Sequence, residues 1–331
     1  MDPALQEYED PIPFLQVFAR RYRTGELAPK HKPVRGRTVE DALRGIGQAF
    51  AHVGAPDPRN NDRGQMDFRL ARQLAAYKKQ DPPPHRVKPV PAPILQFVLS
   101  NAYRTQDPAA RCTADMITLA FFFLLRPGEY TGTKSESTPF RRCDVALFLG
   151  PRKLNLDDTS QDVLLGASFA TLEFTTQKNG VKGEVIGLGR TGHPQFCPVL
   201  AIARRILHLR RHGAPPTTPI ATYWAQTKWK PVKPKDITEA IRLAALFLGP
   251  SHGFLPQDIS ARSLRAAGAM ALLCADVDSD RIRLIGRWRS DEMLRYLHVQ
   301  AAPVMSRFSS LMLQHGDFHL IPNSQVPVPM H

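Results

Sequence analysis

The sequence predicts a mainly α-helical protein with one small antiparallel β-sheet, divided between an N-terminal helical domain and a larger mixed domain. Three observations predict it. Apolar residues recur at helical spacing through the first part of the chain. A proline-rich basic stretch, KKQDPPPHRVKPVPAP (78–93), then breaks the pattern. Beyond it, short strand-like runs sit among further helical segments. The expected division is a helical domain at 1–80, a linker at 81–93 and a second domain at 94–331.

The first helix is expected over PFLQVFARRY. In TVEDALRGIGQAFAHVG, Val39, Leu43, Ile46, Phe50 and Val53 recur at spacings of four and three, which lines one helix face. Thr38 and Asp41 stand in N-cap spacing. Leu70, Leu74 and Tyr77 mark a third helix. The linker prolines cannot continue a helix, and its lysines and arginines stay solvated.

In the second domain, helices are expected near 94–102 and 113–125. The run MITLAFFFLL (116–125) is too short to span a membrane and reads as a buried helix. Strands are expected at ALFLG (146–150), SFATLEFT (168–175) and EVIGLG (184–189). The last two are joined by the polar turn TQKNGVKG as a hairpin. DITEAIRLAALFLG opens with Asp236 and Glu239 in capping-box spacing. ARSLRAAGAMALLCA, DRIRLIGRW and SDEMLRYLHV read as three short helices in succession, and the tail NSQVPVPMH as loose.

Composition narrows the partners. The 331 residues are 43% hydrophobic and 22% charged, ordinary values, but the net charge is +14. Such an excess favours a polyanion, nucleic acid ahead of an anionic membrane. The N-terminus is acidic and polar, unlike a signal peptide. Cys112, Cys143, Cys197 and Cys274 are widely spaced, so neither zinc nor a disulfide framework is expected.

Several residues are candidates for chemistry. Arg126 ends FFFLLR, and Pro127 suits the first turn of a new helix, so the arginine head is expected near a helix N-terminus. Taken alone, it also reads as a surface arginine capping a core helix. Arg262 and Arg265 lie three apart and are expected to project from one helix face beside the small residues Ala266, Ala267 and Gly268. Two guanidiniums so placed suit a phosphate, or form a solvated stripe. Lys178 and Lys182 lie in the hairpin turn, where lysines are commonly just solvated. Tyr296 falls at helical spacing with Met293 and Leu297, as a core aromatic would.

The order of these residues carries more than any one of them. Arginine after a helix, lysine in a hairpin, R-x-x-R on a late helix, IGRW, then tyrosine together resemble the tyrosine recombinase/integrase family. Arg126 with Glu129 in LLRPGEY looks like that family's first box, and ARSLRAAGA through GRWRSDEMLRYLH like its second. Within the family, the wording most resembles the branch carried by DIRS-like retrotransposons and related eukaryotic elements. The resemblance spans about residues 10–310 and is most specific at 255–300.

The resemblance implies an α-helical core-binding domain and a catalytic domain closing on double-stranded DNA, with four protomers on two duplexes. Tyr296 would be the nucleophile, forming a 3′-phosphotyrosyl link and freeing a 5′-hydroxyl. Arg126 and Arg265 would hold the non-bridging oxygens, and Lys178 would protonate the leaving oxygen, with Lys182 in reserve. No metal ion or other cofactor enters such a reaction. Arg35, Arg37, Lys78 and Lys79 are expected to contact DNA from the first domain. The segment at about 303–315 would dock on a neighbouring protomer or pack on its own domain. A nuclear site follows for a eukaryotic mobile element, and a cytoplasmic or nucleoid one otherwise.

Two positions depart from the family pattern. Arg262 stands where the second box usually has histidine, and an arginine cannot accept the tyrosine proton at neutral pH. The third position, usually His or Trp, falls on Arg287 or on Trp288. The departures leave a second expectation beside the enzyme: a catalytically impaired or domesticated recombinase that binds DNA.

Overall fold

The computed structural model describes residues 10–82, 87–132, 139–175 and 183–288. Lys178, Lys182, Tyr296, the helix expected at SDEMLRYLHV and the segment at 303–315 lie outside them. The chain divides into two compact units, Met1–His85 and Arg86–His331.

The first unit holds three helices: α1 (Ile12–Thr24), α2 (Gly36–His52) and α3 (Phe68–Gln80). Ile12, Leu15 and Ala19 of α1 meet Val39 and Leu43 of α2 and Leu70 and Leu74 of α3 in one buried cluster. These are the positions that the three- and four-residue spacing selects. α2 starts two residues before the expected cap at Thr38: Gly36 is already helical and Arg35 is the capping residue. At the far end of the unit, the Asp81 carboxylate accepts from the Gly36 N–H (2.9 Å) and pairs with Arg23 (2.5 Å). That contact ties the ends of all three helices together.

The second unit is built on α5 (Pro108–Phe122), preceded by α4 (Ala92–Arg104). Every residue of α5 from Cys112 to Phe121 is buried, which accounts for its continuous apolar run. The helix begins five residues earlier than the periodicity suggests. Pro108 fills its first turn, and Asp107 accepts from the Ala109 and Ala110 N–H groups (3.0 and 3.1 Å). It also ends earlier: Leu124 is left-handed (φ 51°), and the Leu125 N–H returns to the Ala120 carbonyl (3.0 Å). This is a Schellman closure without glycine. A one-turn helix, α6 (Pro127–Tyr130), follows at once.

The sheet has the order β2-β1-β3-β4 and is antiparallel throughout. Its strands are β1 (Val145–Leu149), β2 (Arg152–Lys153), β3 (Phe169–Phe174) and β4 (Glu184–Gly189), with a short helix, α7 (Gln161–Leu165), before β3. Ala170, Leu172 and Phe174 alternate inward on β3, so Phe174 at its end faces the interior.

Two later elements do not appear in the sequence reading. Helix α8 (Pro198–Arg211) buries Ile202, Ile206 and Leu209 against the core. A separate hairpin joins β5 (Thr222–Ala225) to β6 (Lys228–Pro231). Its turn residues, Gln226 and Thr227, both have positive φ (51° and 64°), as a type I′ turn requires, yet neither is Gly, Asn or Asp. The usual hairpin signal is therefore absent from the sequence. The hairpin leans on α8: the Trp224 N–H donates to His208 Nε2 (3.0 Å), and the His212 ring stacks on Trp224.

The remaining helices are α9 (Pro234–Leu248), α10 (Ser263–Cys274) and α11 (Ser279–Gly286). In α9, Lys233 takes the capping position expected of Asp236. Asp236 is instead the third helical residue and accepts from the Lys233 N–H (2.8 Å). Among the described residues no helix is long and apolar enough to cross a membrane.

His208 makes the hairpin sensitive to pH. Burial, with the charges of Arg205, His212 and Arg211 adding to it, pushes its pKa down to about 4 from an ordinary 6.5. The neutral ring that accepts from Trp224 is thus the folded form. Its contribution to stability is complete above pH 6.5 and is lost as the pH falls from there through about 4. We expect a loss of about 1–2 kcal/mol over that window, discounted because the ring is half-buried. Urea unfolding at pH 7 and pH 4 checks it. The loss should shrink in His208→Gln, whose amide accepts the same bond without titrating, and an equal loss in both proteins contradicts the assignment.

Candidate active site

The site forms where α5 ends. The chain leaves α5 through the left-handed Leu124, and this turns the Leu124 carbonyl back toward α10 and α11. Arg265 Nη1 donates to it at 2.5 Å and Arg287 Nη2 at 3.2 Å. Two guanidiniums from separate helices thus share one carbonyl. The second meeting point is the Glu129 carboxylate on α6. Its Oε2 accepts from the Arg126 N–H (2.7 Å) and from Arg287 Nη2 (3.2 Å), and its Oε1 from Arg126 Nη1 (3.0 Å). Glu129 is 7% exposed, so its charge is matched inside the protein rather than by water.

Small residues make this approach possible. A side chain at Gly268 would overlap the Phe121 carbonyl and Leu124, so only glycine lets α10 lie against the end of α5. A side chain at Gly286 would overlap the Trp288 indole. Trp288 folds back over the end of α11 and sits on the Arg265 guanidinium, 4.1 Å from carbon to ring centroid. Arg265 also donates to the Gly286 carbonyl. Tyr130 anchors the other flank. Its buried hydroxyl donates to the Ala261 carbonyl (2.9 Å), just ahead of Arg262, and burial holds the phenol well above its ordinary pKa.

Arg126, Glu129, Arg265, Arg287 and Trp288 therefore come together from three distant stretches of chain. Arg126 and Arg287 bond the Glu129 carboxylate, Arg265 meets Arg287 at the Leu124 carbonyl, and Glu184 also acts on Arg287, so the three guanidiniums outnumber the carboxylates about them and the site favours an anion. Arg126 is the most open of the three, with its side chain 33% exposed.

Arg126 stands at the start of α6 as expected, and Glu129 closes that helix end by accepting the Arg126 N–H. The arrangement corrects two other expectations. Arg262 and Arg265 do not project from one face. Arg262 is the exposed capping residue of α10, whereas Ser263 to Met270 are all buried and carry Arg265 inward to 2% exposure. No hydrogen bond or ion pair of the Arg262 side chain links it to the cluster among the described residues. Arg287 has no exposed head either. It is 5% exposed, in left-handed backbone (φ 57°), and its guanidinium lies 3.8 Å from the Phe174 ring centroid. Burial, opposed by Glu129 and reinforced by Arg126, holds its pKa below the ordinary guanidinium value.

Leu124, Tyr130 and Phe174 take part without having been singled out in the sequence. In the first unit, Arg35 and Arg37 lie exposed at the start of α2, and Lys78 and Lys79 lie exposed at the end of α3. Gly36 packs against the Tyr77–Lys78 backbone, so the four residues share one end of that unit. Lys78 is partly spent there on Glu40 (2.9 Å).

No model of a known protein family matches the sequence, and no curated protein matches it. Solved structures do. The integrase of transposon Tn1549, in complex with transposon right-end DNA, matches 93% of this chain and 86% of its own, with a TM-score of 0.50 at 14% identity. The fold is that of the tyrosine recombinases. Weaker matches include the site-specific recombinase XerH bound to difH substrate in a pre-cleavage complex, with a TM-score of 0.49 at 13% identity over 92% of this chain and 71% of that one. The XerA recombinase matches with a TM-score of 0.41 at 11% identity, over 94% and 86%.

Glu129 sets the stability of this recombinase-fold site. Removing it leaves Arg287 buried without its counter-charge, so Glu129→Ala should lower the unfolding free energy by about 3–5 kcal/mol. Glu129→Gln, which keeps the shape and one acceptor, should cost less. Urea unfolding checks both, and a loss below about 1 kcal/mol for Glu129→Ala shows that Arg287 does not depend on the carboxylate.

Proposed function

We propose that this chain is a site-specific DNA recombinase, an integrase of a mobile element, that cuts and rejoins strands through a 3′-phosphotyrosyl intermediate. One observation carries the reading. Arg126, Glu129, Arg265 and the Arg287–Trp288 pair, drawn from both sequence boxes, converge on one spot. The fold shared with an integrase solved on transposon-end DNA supports it, as does the net charge of +14.

In this reading Tyr296 Oη gives its proton to water, since Arg262 cannot accept it, and attacks the scissile phosphorus. The P–O bond to tyrosine forms, the P–O5′ bond breaks, and Lys178 gives its proton to the leaving 5′-oxygen. A phenol is a weak nucleophile until the developing charge is offset. Arg126 does this from the open side of the cluster. Arg265 does it from the interior, where the low dielectric strengthens its field. The covalent link conserves the phosphodiester energy, so neither metal nor nucleotide is needed. Double-stranded DNA is the substrate and a tetramer on two duplexes the working assembly, with the exposed basic residues at 35, 37 and 79 gripping the backbone. Origin in a retrotransposon, and with it a nuclear site of action, rests on the sequence resemblance.

A second reading has its own observation. Arg262 occupies the histidine position, and Arg265 is 2% exposed with each Nη atom giving one bond to a main-chain carbonyl. A recombinase fold kept for DNA binding without cleavage fits these features.

Both readings give DNA affinity that falls steeply with salt; only the first gives a covalent product. The test is a nicked suicide duplex bearing the element's own terminal sequences, incubated in EDTA, denatured and run on a gel. A shifted protein–DNA band that disappears in Tyr296→Phe is the expected result. Tight, salt-sensitive binding with no adduct favours the second reading.

A further inference from the structure

Arg287 stands at the place where the family-like pattern expects a phosphate contact, yet its surroundings describe a different task. Its two Nη atoms donate to four acceptors: the Phe123 carbonyl (3.2 Å), the Ile285 carbonyl (3.0 Å), the Leu124 carbonyl (3.2 Å) and Glu129 Oε2 (3.2 Å). That exhausts the four N–H bonds those atoms carry. The remaining Nε is buried, and one face of the guanidinium is covered by Phe174. No donor is left exposed for a substrate.

Two of the four acceptors are shared. Glu129 also holds Arg126 through its main chain and side chain. The Leu124 carbonyl also holds Arg265. Arg287 therefore touches, through one intermediary each, both guanidiniums assigned to the phosphate. It does so from a left-handed backbone position that a residue with a Cβ adopts only at a cost of about 1–2 kcal/mol. Strain of this kind persists where the surrounding contacts fix it.

We infer that Arg287 is a positioning residue: through Glu129 and the Leu124 carbonyl it sets the placement of Arg126 and Arg265, and it does not itself touch the phosphate. The inference rests on the recombinase reading for its catalytic consequence, but not for its geometry. It assigns the third-position donor to Trp288, whose indole lies over Arg265 and whose Nε1–H is a donor.

The test uses the full chain carrying Arg287→Lys, which keeps the charge but cannot span four acceptors, with Glu129→Gln as a second variant. Misplacing a catalytic group by about 1 Å costs about a hundredfold in rate. The expected result for Arg287→Lys is adduct formation slowed about a hundredfold, with DNA affinity within about twofold of the parent. The double variant should be no slower than the worse single one. Slowing that simply adds in the double variant, or an unchanged rate in Arg287→Lys, overturns the inference. If the parent itself forms no adduct, the recombinase reading fails, and the inference is decided by nitrogen-15 resonances of the arginine side chains. Loss of the ordered Arg126 and Arg265 signals in Arg287→Lys, with core methyl signals intact, upholds it; unchanged signals overturn it.

Discussion

The described site depends on one buried carboxylate. Glu129 fixes the start of α6, holds the Arg126 head and balances Arg287 in an interior where an unmatched charge costs several kcal/mol. Its position is not free. α6 is a single turn locked between the left-handed Leu124 on one side and the Tyr130–Ala261 bond on the other. The carboxylate, the turn that carries it and the three guanidiniums are therefore one structural unit, and a change in any of them is felt by the others.

Charge and burial work together in this unit. An arginine at the surface is solvated, mobile and screened. Arg265 and Arg287 are each nearly out of contact with water, with their Nη donors committed to carbonyls and a carboxylate and their planes packed on rings. This arrangement lowers the mobility of the cations and leaves a local positive excess that one anion can relieve. A phosphodiester brings one negative charge, and more builds on its oxygens in the transition state, where a pre-arranged cation acts without reorganising. Arg126, the most open of the three, is the natural point of contact. Arg262 stands outside the unit, and in the proposed recombinase an arginine there would add positive potential without supplying a base.

Much of the fold was legible because local signals and the global structure agree. The three-and-four spacing of Val39, Leu43 and Ile46 and of Leu70, Leu74 and Tyr77 gave two helices of the first unit, and the strand-like run SFATLEFT gave β3, where Ala170, Leu172 and Phe174 turn out to be buried. Element ends were less legible, because main-chain capping decided them. Asp107 extends α5 backward, and Leu124 stops it without a glycine. The β5–β6 hairpin was hidden for a related reason, since Gln226 and Thr227 hold left-handed conformations that their side chains do not advertise. At the site, Arg126, Glu129 and Arg265 stood out by residue type and order. Whether each faces solvent or the interior was not readable, because that depends on how α10 lies against α5. The small residues Ala266, Ala267 and Gly268 did signal a close backbone approach, which Gly268 makes against Phe121 and Leu124, but not which element approaches. The exposed-pair reading of Arg262 and Arg265 failed on this point.

The central claim is that the guanidiniums gathered around Glu129 serve the negative charge of a single phosphate. The most direct measurement pairs Arg126→Ala with a suicide duplex whose scissile phosphate is replaced by methylphosphonate. The account predicts that the variant loses cleavage of the natural phosphate and regains it on the neutral analogue, where no charge needs to be offset. A folded, DNA-binding Arg126→Ala that cleaves the natural phosphate at the parental rate, or that stays inactive on the neutral one while the parent cleaves it, contradicts the account.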